Sequence, residues 1–205
     1  MPHDVSELVS LMGGDDAFTD RLDLLFSKEL SHEKIKEHED IAGLIGQYAH
    51  GNEPSHHIAY LYNYAGKPWK TQQRIRQIMD TLSSDKPDGL AGNDDVGQMS
   101  AWYVFSAMGF YPVAPGDLSY AIGAPQLPLI SLKLANGKTF TVKAKNLSAK
   151  NQYVASVSLN GKPLKRSFIR HDDINSGGVL EFVMSDKPSM SWGNDMAMRP
   201  VSMTR

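Results

Sequence analysis

The sequence contains no cysteine, which excludes disulfides, thiolate metal sites and cysteine nucleophiles. It has no basic excess either: 21 Lys and Arg against 23 Asp and Glu leave a formal net charge of −2, which argues against a general nucleic-acid binder. No apolar run approaches the ~20 residues of a membrane-spanning helix, so membrane insertion is not expected. The opening Met1-Pro2-His3-Asp4 lacks a signal-peptide pattern. A serine-nucleophile elbow, a phosphate-cradling glycine loop and a dinucleotide fingerprint are also missing. What is present is 205 residues, 41% hydrophobic and 21% charged, the composition of a soluble globular protein. That length suffices for one sizeable core or two units of roughly 100 residues each.

The first half reads as helices. Asp4 can cap a short helix over Val5 to Met12 with Glu7 as its capping-box partner, and Gly13-Gly14 ends it. Asp15 or Asp16 can cap a second helix in which Phe18, Leu22, Leu25 and Phe26 keep helical spacing. Residues 31–40 turn charged and read as solvated surface. Pro54 suits the first turn of a helix over 54–65 capped by Asn52, and Pro68-Trp69 opens another that runs to Leu82, with Gln72, Arg74 and Arg76 as its wet face. After Pro112 the pattern alternates, with Asn136-Gly137 and Asn160-Gly161 as hairpin turns and His171-Asp172-Asp173 as a turn between strands. The expected fold class is therefore α+β. An antiparallel helical array over 1–112 precedes a small antiparallel β unit with meander-type connections over 113–193 and a loose tail over 194–205.

Two stretches concentrate polar groups at helix entrances. One is Gly89-Leu90-Ala91-Gly92-Asn93-Asp94-Asp95-Val96-Gly97-Gln98, which feeds an apolar helix holding Met99, Trp102, Tyr103 and Phe105. Asn93 or Asp94 could simply be its N-cap, with Asp95 in the first turn. Two adjacent carboxylates before a buried helix exceed what capping needs, because desolvating a charge is unfavourable unless it is paired or used. The other stretch is Gly51-Asn52-Glu53-Pro54-Ser55-His56-His57. One helix lies between the two, so in an antiparallel array their entrances share an end, which combines Glu53 with Asp95. Such a set supports glycosidic hydrolysis by paired carboxylates or a hard-cation site of Asn and Asp/Glu oxygens. A third possibility is a noncatalytic carbohydrate-binding or interaction module in which the β half is the working part.

Gly51-Asn52-Glu53-Pro54-Ser55-His56-His57-Ile58-Ala59-Tyr60-Leu61-Tyr62-Asn63 followed by Gly92-Asn93-Asp94-Asp95-Val96-Gly97-Gln98-Met99-Ser100-Ala101-Trp102-Tyr103 closely resembles the family 92 glycoside hydrolases. The resemblance extends to Pro2-His3-Asp4, Leu11-Met12-Gly13-Gly14, Gly109-Phe110-Tyr111-Pro112 and the β segment from Leu129 to Trp192. It implies a calcium-dependent, inverting exo-α-mannosidase acting on mannose-containing oligosaccharides such as N-glycans, often at α-1,2 linkages. The fold implied is the last helices of an (α/α)6 barrel, over 1–112, with the appended β domain.

The resemblance further implies roles residue by residue. Asp95 matches the general base. The assisting acidic position two residues earlier is Asn93 here, which leaves Asp94 or Asn93 to orient Asp95. Glu53 matches the glutamate of the terminal-mannose subsite near the calcium, with Asn52, His56 and His57 as neighbours, so that Glu53 and His56 are the candidate Ca2+ ligands. Trp102 is expected in the core behind the loop. The family's general acid, a glutamate in a Glu-x-Asn-x-Trp-Gln-Tyr segment upstream of Pro-His-Asp, has no counterpart in these 205 residues. The sequence therefore looks like the carboxyl-terminal part of such an enzyme, completed by its amino-terminal part or by self-association. By resemblance the protein is periplasmic or extracellular.

Overall fold

A computed structural model describes residues 3–31, 41–114 and 116–204. The charged surface expected over 31–40 lies, beyond Ser31, outside the described residues, as do Met1 and Pro2 of the Pro-His-Asp motif.

Helix α1 (Val5–Leu11) is capped by Asp4, whose Oδ1 accepts from Glu7 N–H at 3.2 Å. Helix α2 (Asp15–Ser27) buries Phe18, Leu22 and Phe26, one face at i, i+4, i+8 spacing. A two-stranded ribbon, β1 (Leu44–Ile45) with β2 (Tyr48–Ala49), leads to the Glu53 turn. The helix expected over 54–65 is instead two 3₁₀ segments, Glu53–Ser55 and Ile58–Asn63. All five residues Ala59–Asn63 are buried, so the segment has no wet face. Asn63 fixes its end by donating from Nδ2 to Ile122 O at 2.8 Å and Ser167 O at 3.1 Å. Asn52 makes no side-chain cap there.

Helix α3 (Pro68–Leu82) buries Ile75, Ile78 and Met79, and also Gln72 and Arg76, which corrects the wet-face expectation for those two. Each reaches the β half: Gln72 Oε1 accepts from Val154 N–H at 3.0 Å, and Arg76 donates to Pro125 O at 3.5 Å. A donor and an acceptor that would strand backbone groups if removed thus join helix to sheet. Helix α4 (Gln98–Met108) ends at Gly109, in the left-handed conformation.

Strands β3 (Phe110–Tyr111), β4 (Ser119–Ile122) and β9 (Phe168–Arg170) form a three-stranded antiparallel sheet. Strands β5 (Leu129–Lys133), β6 (Thr139–Lys145), β7 (Tyr153–Leu159), β8 (Lys162–Pro163) and β10 (Gly178–Ser185) form the second, in the order β5-β6-β10-β7-β8. This order is no meander: β10 inserts between β6 and β7 and runs parallel to β6. The insertion buries Leu180, Phe182 and Met184 against Phe140, Val142 and Ala144, a better-covered position than an edge. Asn160 and Gly161 turn β7 into β8 with φ of 51° and 77°, as an Asn-Gly hairpin requires. His171–Asn175 is a short helix, α5, rather than a plain turn, and its Asp173 accepts from Arg170 N–H and pairs with Arg166.

The tail is not loose. Arg199 pairs with Asp15 at 2.8 Å and donates to Tyr64 O, while Ser202 and Thr204 donate to Asp4 Oδ1 at 2.9 and 2.8 Å. Periodicity could not reveal this, because the tail docks through single polar contacts. Two hydrophobic clusters result, one under the helices and one under the five-stranded sheet, with Phe105 of α4 touching both.

Candidate active site

Two loops that carry the carboxylates touch through their backbones. A Cβ on Gly51 would lie 2.5 Å from Ala91 O, and one on Gly92 would lie 3.3 Å from Gly51 Cα. Glycine is needed at Gly51 because any side chain would push the 89–97 loop away. Past Gly92 the backbone enters the left-handed region at Asp95 and Val96, with φ of 43° and 55°. For a β-branched residue this is a strained conformation of the kind that clusters at functional sites. The strain is held from the helix side: Asp94 Oδ1 accepts from Ser100 N–H and Oγ–H at 2.9 and 2.8 Å. Asp94 therefore caps α4, and its side chain faces Ser100 rather than orienting Asp95. Asp95, Val96 and Asn93 are exposed.

Glu53 and Asp95 stand on these touching loops, close enough for each carboxyl to shift the other's titration. The interaction of the two carboxyls lowers the Glu53 pKa and raises that of Asp95, with desolvation and the Glu53 and Asp94 charges adding to the rise. The two turns thus meet through their backbones, at Gly51 against Ala91 and Gly92. Such proximity of the carboxyls also restricts roles: the acid and base of an inverting glycosidase stand about 6.5–9.5 Å apart to admit water, so Glu53 is not the acid partner of Asp95.

His56 lies beneath this pair and is buried. Its Nε2 sits 3.0 Å from His50 O, and its Nδ1 sits 3.1 Å from Gln98 Nε2. A carbonyl only accepts, so Nε2 carries the proton; burial lowers the pKa, so the ring is neutral and Nδ1 accepts from the Gln98 amide. Both ring nitrogens are used, which corrects the expectation of His56 as a calcium ligand. His57 is half-buried, and burial lowers its pKa too. Asn52 is exposed beside Glu53, and Trp102 is fully buried, donating Nε1–H to His56 O at 3.0 Å.

Oxygen donors at the site suit a hard cation, but calcium takes six to eight of them. Among the described residues no group of three or more His, Asp or Glu side chains is arranged to hold a metal. These residues do not fit a complete calcium site by themselves. Sequence reasoning gave no role to Gln98, whose only signal was its place in the motif three residues after Asp95.

The family described as the glycosyl hydrolase family 92 catalytic domain matches residues 1–186. This chain belongs to that family. The match runs through the β half as well as the helices. A family 92 alpha-mannosidase from Bacteroides thetaiotaomicron superposes with a TM-score of 0.90 at 46% identity, covering 98% of this chain and 26% of its own. A family 92 inverting mannosidase from the same organism gives 0.86 at 39%, covering 100% and 29%. An uncharacterized secreted glycosidase of Arthroderma benhamiae is 34% identical over 99% of this chain and 24% of its own length. The chain thus spans about a quarter of these family 92 relatives. The family fold is an (α/α)6 barrel plus a β-sandwich domain, and these helices and sheets match part of it.

Proposed function

We propose that this family 92 chain carries the water-activating side of an inverting exo-α-mannosidase acting on terminal α-1,2-linked mannose of N-glycan-type oligosaccharides. The observation that carries the reading is the abutment of the Glu53 and Asp95 loops, with Gly51 against Ala91 O and Gly92 against Gly51. Asp95 is the general base, removing a proton from the water that attacks the anomeric carbon; its raised pKa strengthens it as a base once deprotonated. Glu53 belongs to the terminal-mannose subsite, with Asn52 and His57 beside it, and Asn93 flanks Asp95 on the open side. Relatives support the class of substrate: one is an inverting mannosidase, and the alpha-mannosidase was also solved in complex with mannoimidazole, at 45% identity to this chain.

Among the described residues none is assigned the general acid's place, and acid catalysis is worth roughly 10²–10⁴-fold, so residues 1–205 alone are proposed to turn over slowly or not at all. Glu53 would supply one carboxylate oxygen to a calcium ion, which when bound would polarise sugar hydroxyls. The secreted relative supports an extracellular place. The test is ligand-observed NMR with mannoimidazole. Weak binding lost in Glu53→Gln and in Asp95→Asn is expected; binding that is absent, or untouched by both changes, overturns the reading.

A further inference from the structure

The Glu53 and Asp95 turns are built alike. His56 N–H donates to Glu53 O at 3.0 Å, and Gln98 N–H donates to Asp95 O at 3.2 Å. Each carboxylate therefore stands one tight turn upstream of a residue whose backbone is tied to its own. Those two residues, His56 and Gln98, bond each other across 42 positions of sequence, at 3.1 Å between Nδ1 and Nε2. One helical turn further on, Trp102 donates to the carbonyl of the same histidine at 3.0 Å. Helix α4 thus grips His56 at ring and backbone.

The rest of the surroundings leaves His56 little freedom. Its Nε2–H is committed to His50 O, and the His50 ring packs against the edge of Trp102 with centroids 4.3 Å apart. The Gln98 amide is fixed in turn: its nitrogen also lies 3.3 Å from Tyr111 Oη. A flipped amide would set its oxygen against the bare Nδ1, two acceptors facing one another.

We infer that Gln98 and Trp102 are positioning residues: by clasping His56 they set the separation of Glu53 from Asp95. The inference rests on the proposed roles of those two carboxylates and adds residues that never touch the sugar. A buried amide that merely satisfied a core histidine would contribute to stability without setting the distance between the loops.

The absence of cysteine allows spin labels at exactly two introduced positions, Asn52→Cys and Asn93→Cys, both exposed. The label-to-label distance distribution is then read by electron paramagnetic resonance, in the full chain and without ligand. In Gln98→Leu and in Trp102→Phe the distribution broadens at least twofold, and in Gln98→Leu the His56 Nδ1 resonance moves toward that of an unbonded nitrogen while Nε2 stays. Gln98→Asn, one methylene too short to reach, gives the same result and serves where Leu impairs folding. Met99→Ala removes buried volume from the same turn of α4 and no hydrogen bond to His56; it lowers the melting temperature and leaves the distribution narrow. Wild-type widths in the Gln98 and Trp102 variants, or equal broadening in Met99→Ala, overturn the inference. Because the readout needs no sugar, a chain that fails to bind mannoimidazole sinks the mannosidase reading alone, and unchanged distances sink the clasp alone.

Discussion

Gly51→Ala tests whether backbone contact between the loops builds the site. The added Cβ would lie 2.5 Å from Ala91 O, 2.9 Å from Ala42 Cβ and 3.0 Å from Ala42 O. None of these atoms can rotate away, so one loop must move. Overpacking of this kind is destabilising by about 1–3 kcal/mol. An opposing term exists: Gly51 is not in the left-handed region, so alanine also narrows the unfolded ensemble, worth about 0.4–1 kcal/mol in the other direction. The net is a loss on the order of 1–2 kcal/mol, which for a chain of this size lowers the melting temperature by roughly 2–8 °C. Scanning calorimetry and urea unfolding measure it. An unchanged or raised melting temperature would mean that the unfolded-state term acts alone and that the loops do not touch, which refutes the reasoning.

Other consequences follow from buried groups. Asn63→Leu keeps the branched shape but strands Ile122 O and Ser167 O, so urea unfolding should show a loss of about 2 kcal/mol or more. Burial holds the His50 pKa down at about 3 against an ordinary 6.5. The unfolded chain therefore takes up a proton that the folded chain refuses, so stability is full above pH 6.5 and falls as the pH drops from 6.5 toward 3. His50→Gln should make that decline shallower without abolishing it, since burial lowers the His56 pKa in the same sense. Calcium titrated into this chain should bind no more tightly than about 10⁻⁴–10⁻³ M, the range of weak extracellular sites; submicromolar binding would show a cage that the donor count does not supply.

Much of the helical half was legible because its signals are local. Phe18, Leu22 and Phe26 repeat at helical spacing, Pro68 starts its helix, and Asn160-Gly161 demands a hairpin. The 3₁₀ conformation of Ile58–Asn63 was not legible, since a run buried on all sides has no periodicity to read. Gln72 and Arg76 misled for the same reason: polar residues on a helix look wet until the Val154 and Pro125 backbones arrive from the β half. The insertion of β10 beside β6 is a long-range pairing with no signature in either strand. At the site, helix order pointed to a meeting of the two turns, although the helix over 54–65 that the argument used is two 3₁₀ segments. That Asp94 turns to Ser100, and that both His56 nitrogens are spent inside the fold, depend on side-chain directions that spacing does not encode.

The central claim is that Glu53 and Asp95 stand close enough on two abutting loops to shift each other's titration. Carboxyl-carbon NMR in calcium-free buffer follows each group through its titration. Free in solution, aspartate titrates at 3.8 and glutamate at 4.5. In this chain Glu53 should titrate below its ordinary value and Asp95 above its own, and Asp95→Asn should return Glu53 toward 4.5. Both groups titrating at their ordinary values, with Glu53 indifferent to Asp95→Asn, would contradict the account.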